Sequence, residues 1–331
     1  MRRVIALTAA VVCSTSGCLS DHRDDAERLD QLIKTMPGVA GTEMRYESSF
    51  ENGQNLNLTA RLDNRVTEQQ AVEVGRTFVE LLQTNHLGGH RTELDIRYPA
   101  TPQLKSNYLV DYSQATFKLG DNASPPLDLS AADVGASTAA WLRAVHFPIA
   151  EYVDLSQPTS GGPARGPDIF ITLKPGTPNA SARALQRSDQ ALANTTWRIM
   201  NVVDQTFRPQ EYTSTPNPPS DSDTALWRQI TELLGSRTDV SGSTHIPAER
   251  GSQAETEIEA GLPSGPNAAS EGRLIAMSIA DLVRQFNRPV ELTLHSGDGP
   301  VRIIVGGCER HEPNYRRPPL EVEMSRIYEN C

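Results

Sequence analysis

Thr42–Leu62 reads TEMRYESSFENGQNLNLTARL. In its first half Met44, Tyr46, Ser48 and Phe50 fall on one side of an extended chain. In its second half Leu56, Leu58, Ala60 and Leu62 do the same. Alternation with a period of two is the pattern of a half-buried strand. Between the halves stands Asn52-Gly53, a tight-turn dipeptide that readily takes positive φ. The stretch therefore predicts a β-hairpin with one buried face. A lone hairpin is marginal in water, so that face needs a partner. The next residues supply one. Thr67 and Gln70 have capping-box spacing, and Ala71, Val74, Phe78, Leu81 and Leu82 recur at helical spacing. Gly88-Gly89 ends the helix, and Leu94, Ile96 and Tyr98 alternate again.

A related rhythm follows. Tyr108–Leu119 reads as a long or bent strand, Ser130 and Asp133 as a second cap, and Val134 to Val145 as a helix. Pro148 closes that helix, and Glu151–Leu155 returns as a strand. Further on, Ile169, Ile171 and Leu173 alternate, a helix spans about 180–192, and Trp197–Val203 is a strand. Pro209–Asp223 reads as a polar, proline-rich surface loop, and Ala225–Leu234 as a helix capped by Gly235. Strands are expected at Thr244–Ile246 and Glu255–Ile258, then a helix from Ile275 to Phe286. Val290–Leu294 and Val301–Val305 form a last hairpin around Asp298-Gly299, and Glu321–Ile327 is expected as an edge strand.

The expected class is α+β: two or three modules of antiparallel or mixed sheet with helices on one face, loosely ferredoxin-like. The boundaries follow the composition. Residues 1–17 form a signal peptide and 18–37 a tether and lead-in. Residues 38–156 form the first module, 157–167 a Gly/Pro/Ser-rich linker, and 168–331 a C-terminal region divisible at 168–235 and 236–331.

The leader reads MRRVIALTAAVVCSTSGC. Arg2 and Arg3 precede an apolar run, Val4–Val12, too short to span a bilayer as a permanent helix. Ser16 and Gly17 then precede Cys18. This resembles the lipobox of bacterial cell-envelope lipoproteins. The resemblance implies cleavage before Cys18, lipidation of its thiol, a lipid anchor of three acyl chains in all with palmitate among them, and residence on the outer face of the cytoplasmic membrane. An ordinary secretory leader is the competing reading. Arginine far outnumbers lysine, which occurs only at positions 34, 105, 118 and 174, a bias like that of GC-rich actinobacteria.

A formal charge of -10 argues against an electrostatic grip on nucleic acid. Cys13 leaves with the leader and Cys18 is the anchor candidate. Cys308 and Cys331 remain, and outside the cytoplasm a disulfide between them is the expected state. Closing that loop contributes roughly 3 kcal/mol in the chain-entropy picture.

No catalytic set emerges. His86 and His90 are spaced i,i+4, but Gly88-Gly89 interrupts the helix they would share, and no glutamate makes an HExxH. They are weak metal candidates and read as two solvated turn histidines; no metal or other cofactor is assigned. His295, Cys308 and His311 would make a thiol–imidazole site only if Cys308 were free. Ser160 and Ser296 lack a nucleophile motif, and Trp141 and Trp227 sit beside helical stripes as core residues. Three functions stay in competition. The first is a non-enzymatic, membrane-anchored envelope lipoprotein that binds a protein partner or supports an envelope assembly. The second is a carrier of lipid, glycan or small solute. The third is a secreted hydrolase whose site is assembled from distant residues.

Overall fold

A computed structural model describes residues 22–49, 53–85, 87, 90–99, 115–120, 130–157, 167–201, 210–235, 240–246, 253–263, 268–297, 299–311 and 314–331. Its elements run α1 (Arg23–Lys34), β1 (Val39–Ser49), β2 (Gly53–Leu62), α2 (Glu68–Thr84), β3 (Arg91–Tyr98), β4 (Ala115–Leu119), α3 (Ala131–Val145), β5 (Ala150–Gln157) and β6 (Asp168–Leu173). They continue with α4 (Asn179–Ser188), β7 (Thr196–Asn201), β8 (Gln210–Thr215), α5 (Asp221–Leu234), β9 (Val240–His245), β10 (Thr256–Gly261), α6 (Ala268–Val283), β11 (Val290–Ser296), β12 (Gly299–Val305) and α7 (Pro319–Tyr328).

The expected α+β class holds in its coarse form: helices pack on one large mixed sheet. That sheet has twelve strands in sequence order, β1 to β12. Each pair within a hairpin is antiparallel, as with β1 and β2. Each pair bridged by a helix is parallel, as with β2 and β3, or β10 and β11. The two strands of the opening hairpin pair as read, with Ser49 opposite Gly53 and Met44 opposite Leu58, while Phe50, Glu51 and Asn52 lie outside the described residues. Thr67 and Gln70 form both bonds of the capping box.

One face of the sheet carries the apolar alternates. Leu56, Leu58, Leu94, Phe117, Leu155 and Ile171 cluster with the stripes of α1, α2, α3 and α4. Ile258, Leu292 and Ile303 cluster with those of α5, α6 and α7. Burying apolar area on one sheet face and one stripe of each helix is what holds these layers together. Successive crossover helices run in opposite directions, because the strands they join do. Glycines let α2 and α3 approach closely: a Cβ on Gly75 would lie 2.8 Å from Thr138 Oγ1, and one on Gly135 2.9 Å from Arg76 Cγ.

A polar network sits inside the C-terminal half. Arg288 Nε donates to Thr256 Oγ1 at 2.7 Å, and its guanidinium lies 3.1 Å from Asp223. The Tyr212 hydroxyl bonds Thr244 Oγ1 at 2.6 Å, and Thr244 meets Thr256 at 3.0 Å. Burial, helped by the Asp223 charge, pushes the Tyr212 hydroxyl up to about 12.

Two expectations are corrected. Glu321–Ile327 belongs to helix α7, not to an edge strand. Met324 and Tyr328, four apart, are both buried, and Pro319 stands in the first turn, where its missing N–H costs nothing. Within the expected loop Pro209–Asp223 lies strand β8. Its inward alternates are Gln210, Tyr212 and Ser214, so only one large side chain marks the buried face.

Candidate interaction surface

The other face of the sheet has no described helix packed on it. Its side chains are the polar alternates of the same strands, and the strand registers align them in rows. One row runs Tyr152, Thr172, Arg198, Thr213, Ser243, Glu257, Glu291, Ile304 from β5 to β12. A neighbouring row runs Arg97, Thr116, Asp154, Phe170, Thr196, Thr215, His245. Each position follows from the period-two geometry that turns the intervening residues into the core.

The middle of this face is the most closely linked part. Thr116 Oγ1 donates to Asp154 at 2.7 Å and lies 3.1 Å from the Tyr152 hydroxyl. Burial, together with the Asp154 carboxylate, raises the pKa of that hydroxyl. Arg97 Nε donates to Asp95 at 2.8 Å, and this bond raises the guanidinium's pKa. The Arg198 guanidinium lies over the Phe170 ring, 5.4 Å from its centre. Its closest approach to Glu211 is 3.6 Å, too long for a hydrogen bond. Asp95, Thr172 and Met200 are buried although they belong to this face. Asp95 Oδ1, Thr172 Oγ1 and Arg198 Nε are buried without a hydrogen-bond partner. Arg198 Nε still lies within ion-pairing reach of Glu211, and all three atoms are closed off from solvent.

The residues singled out from sequence fall as follows. Cys18, His86 and Ser160 lie outside the described residues. Cys308 and Cys331 form a disulfide with their Cα atoms 5.0 Å apart. His90 is corrected: it is buried, not solvated. Its Nε2 lies 3.4 Å from the Tyr46 hydroxyl, and its ring stands edge-on to His22 at 5.5 Å. Burial, and then the proximity of His22, holds its pKa below the usual histidine value. His295 is exposed on the polar face, 2.5 Å from Glu259. His311 stacks on Tyr315 and lies 3.8 Å from the buried Glu321. Ser296 Oγ donates to the Gly299 carbonyl and closes the last turn. Trp141, Trp197 and Trp227 are all core residues. The structure thus brings neither a thiol nor a second histidine to His295.

Among the described residues no group of three or more His, Cys, Asp or Glu side chains is placed to hold a metal ion. Among them, too, no helix is long and apolar enough to cross a membrane. An open cavity of about 360 Å³ lies between α3 and α4, lined by Arg143, His146, Phe147, Leu185, Asp189 and Leu192. No strand residue lines it, so it belongs to the helical layer. Tyr152, Thr172 and Arg198 belong to no sequence motif; their one signal in the sequence is their place as polar alternates. Comparison with protein-family models, curated proteins and solved structures finds no match.

Proposed function

We propose that this chain is an exported envelope protein that acts without catalysis, by presenting the helix-free face of its sheet to a protein partner. Cys18 carries the lipid that holds it to the outer face of the cytoplasmic membrane. The observation that supports the reading is the polar row from Tyr152 to Glu291, aligned by the strand registers on the face where no described helix packs. Such a face, large and bordered by charge, suits a specific and partly wet protein interface. The leader supports the address. We also read the fold as two or three loosely ferredoxin-like modules fused through one sheet. The turns after α1 and α3 support that reading. Met36 N–H bonds Ile33 O and Val39 N–H bonds Met36 O, as Phe147 bonds Ala144 and Ala150 bonds Phe147. Asp63 N–H bonds Gly38 O, as Lys174 bonds Ile149.

Two measurements test this function. Cys18→Ser is expected to move the protein from the membrane pellet to the soluble fraction; unchanged retention defeats the anchor. A photo-cross-linking residue at Thr213, in the row, is expected to give one discrete adduct with an envelope protein in intact cells. Arg198→Glu abolishes that adduct, and the same residue at Glu232, exposed on α5, gives none. Adducts from position 232 alone would sink the assignment of the binding face.

A further inference from the structure

The two edges of the sheet are treated differently. At β12 the outward backbone is occupied. Arg302 N–H donates to Glu321 and Ile304 N–H to Glu329, both at 3.0 Å. Gly306 N–H donates to Tyr328 O, Asn330 N–H to Gly307 O, and the Cys308–Cys331 disulfide ties the tail across. Helix α7 thus closes that edge, a recognised way of stopping strand-to-strand association.

At β1 no strand among the described residues pairs with the outer edge. The Tyr46 carbonyl points away from β2 and accepts only a long 3.5 Å bond from Arg23. Backbone groups alternate in direction along a strand, so Thr42, Met44 and Ser48 share that outward side. No hydrogen bond engages the backbone N–H of Thr42, Met44 or Tyr46 on that side among the described residues. The strand is eleven residues long and contains neither proline nor lysine, and its charges, Glu43, Arg45 and Glu47, are of mixed sign. Its one irregularity, between Val39 and Gly41, lies at its start.

We propose that β1 pairs with β1 of a second copy, antiparallel, about a two-fold axis at Met44. Charge and length both select this occupant and this register. Met44 is the midpoint of Val39–Ser49, so pairing about it overlaps the strand along its whole length. The same register sets Glu43 of each copy opposite Arg45 of the other, on the helix-free face. On the helix side it sets Met44 against Met44 and Thr42 against Tyr46. A parallel, in-register pairing would instead stack Glu43, Arg45 and Glu47 on themselves. An isologous contact of this kind closes on itself, so it makes dimers rather than fibres. The two polar faces then join edge to edge into one continuous surface.

Sedimentation equilibrium of the full chain carrying Cys18→Ser tests this. The expected result is a monomer–dimer equilibrium in the micromolar range. Glu43→Arg places two like-charge pairs beside the axis and is expected to weaken dimerisation on the order of tenfold or more. Arg45→Glu does the same with two glutamate pairs. The double variant, Glu43→Arg with Arg45→Glu, restores both contacts and is expected to recover the parent's dissociation constant within about threefold. Glu43 and Arg45 are both exposed, and the pairs they make within the chain, with Arg61 and Glu47, are exposed too, so their replacement leaves the core intact; a melting temperature within a degree or so of the parent's verifies this. A parent that stays monomeric throughout, association unmoved by either single change, or a double variant as weak as the singles would overturn the proposal.

Discussion

Asp223→Ala lowers the melting temperature of this protein by several degrees. Asp223 is buried in the first turn of α5, beneath the Ser220 cap, with its carboxylate 3.1 Å from the Arg288 guanidinium. Removing it leaves Arg288 half-buried without its counter-charge. An orphaned buried charge costs about 3–5 kcal/mol. The Arg288 side chain keeps 30% of its exposure, so water recovers part of this, and the expected loss is about 2–3 kcal/mol. The helix also loses a negative charge from its N-terminal turn. Asp223→Asn keeps the hydrogen-bonding shape and loses less. The measurement is thermal unfolding followed by Trp227, whose ring lies 5.5 Å from Tyr212 in the same network. An alanine variant as stable as the parent would show that Tyr212, Thr244 and Thr256 hold Arg288 unaided.

Cys331→Ser is expected to cost about 3 kcal/mol, because it frees a loop that the disulfide closes across a sequence separation of 23. The loss is local as well as entropic. Cys331 holds the tail whose Asn330 bonds Gly307 and whose Glu329 caps Ile304. Once the tail frays, α7 uncovers β12, and that edge opens. The variant should therefore unfold at lower denaturant and, unlike the parent, form large aggregates as well as dimers. Denaturant titration read together with light scattering checks both effects. A variant that loses less than about 1 kcal/mol and stays free of aggregate would show that Glu321 and Glu329 keep the edge closed without the covalent tie.

How much of this was legible depended on the kind of signal. The hairpin at Thr42–Leu62 was readable because its alternation and its turn dipeptide agree. The Thr67–Gln70 cap was readable because both partners are local. The helix α7 was misread because Val322 and Met324 mimic alternation, while its buried face includes Glu321, a residue no hydrophobic pattern counts. Strand β8 carries little signal because its inward face holds Gln210, Tyr212 and Ser214, whose partners are scattered: Tyr212 meets Arg288 and Thr244, Gln210 bonds the Gly235 carbonyl and Ser214 the Asn217 carbonyl. His90 was assigned to solvent because nothing near it in sequence announces Tyr46 and His22.

The sequence by itself determined the hydrophobic period of most elements, hence the α+β class, and it offered Cys308 and Cys331 as a pair. It also carried the leader-like stretch on which the proposed address rests. Only the tertiary structure decided that twelve strands form a single sheet, that the helices share one of its faces, and that one edge is closed while no described strand pairs with the other. Period and capping are properties of a few neighbouring residues. Strand order, a common face and a covered edge depend on contacts between distant residues, such as Glu321 with Arg302 or Asp223 with Arg288, whose meeting no local pattern encodes.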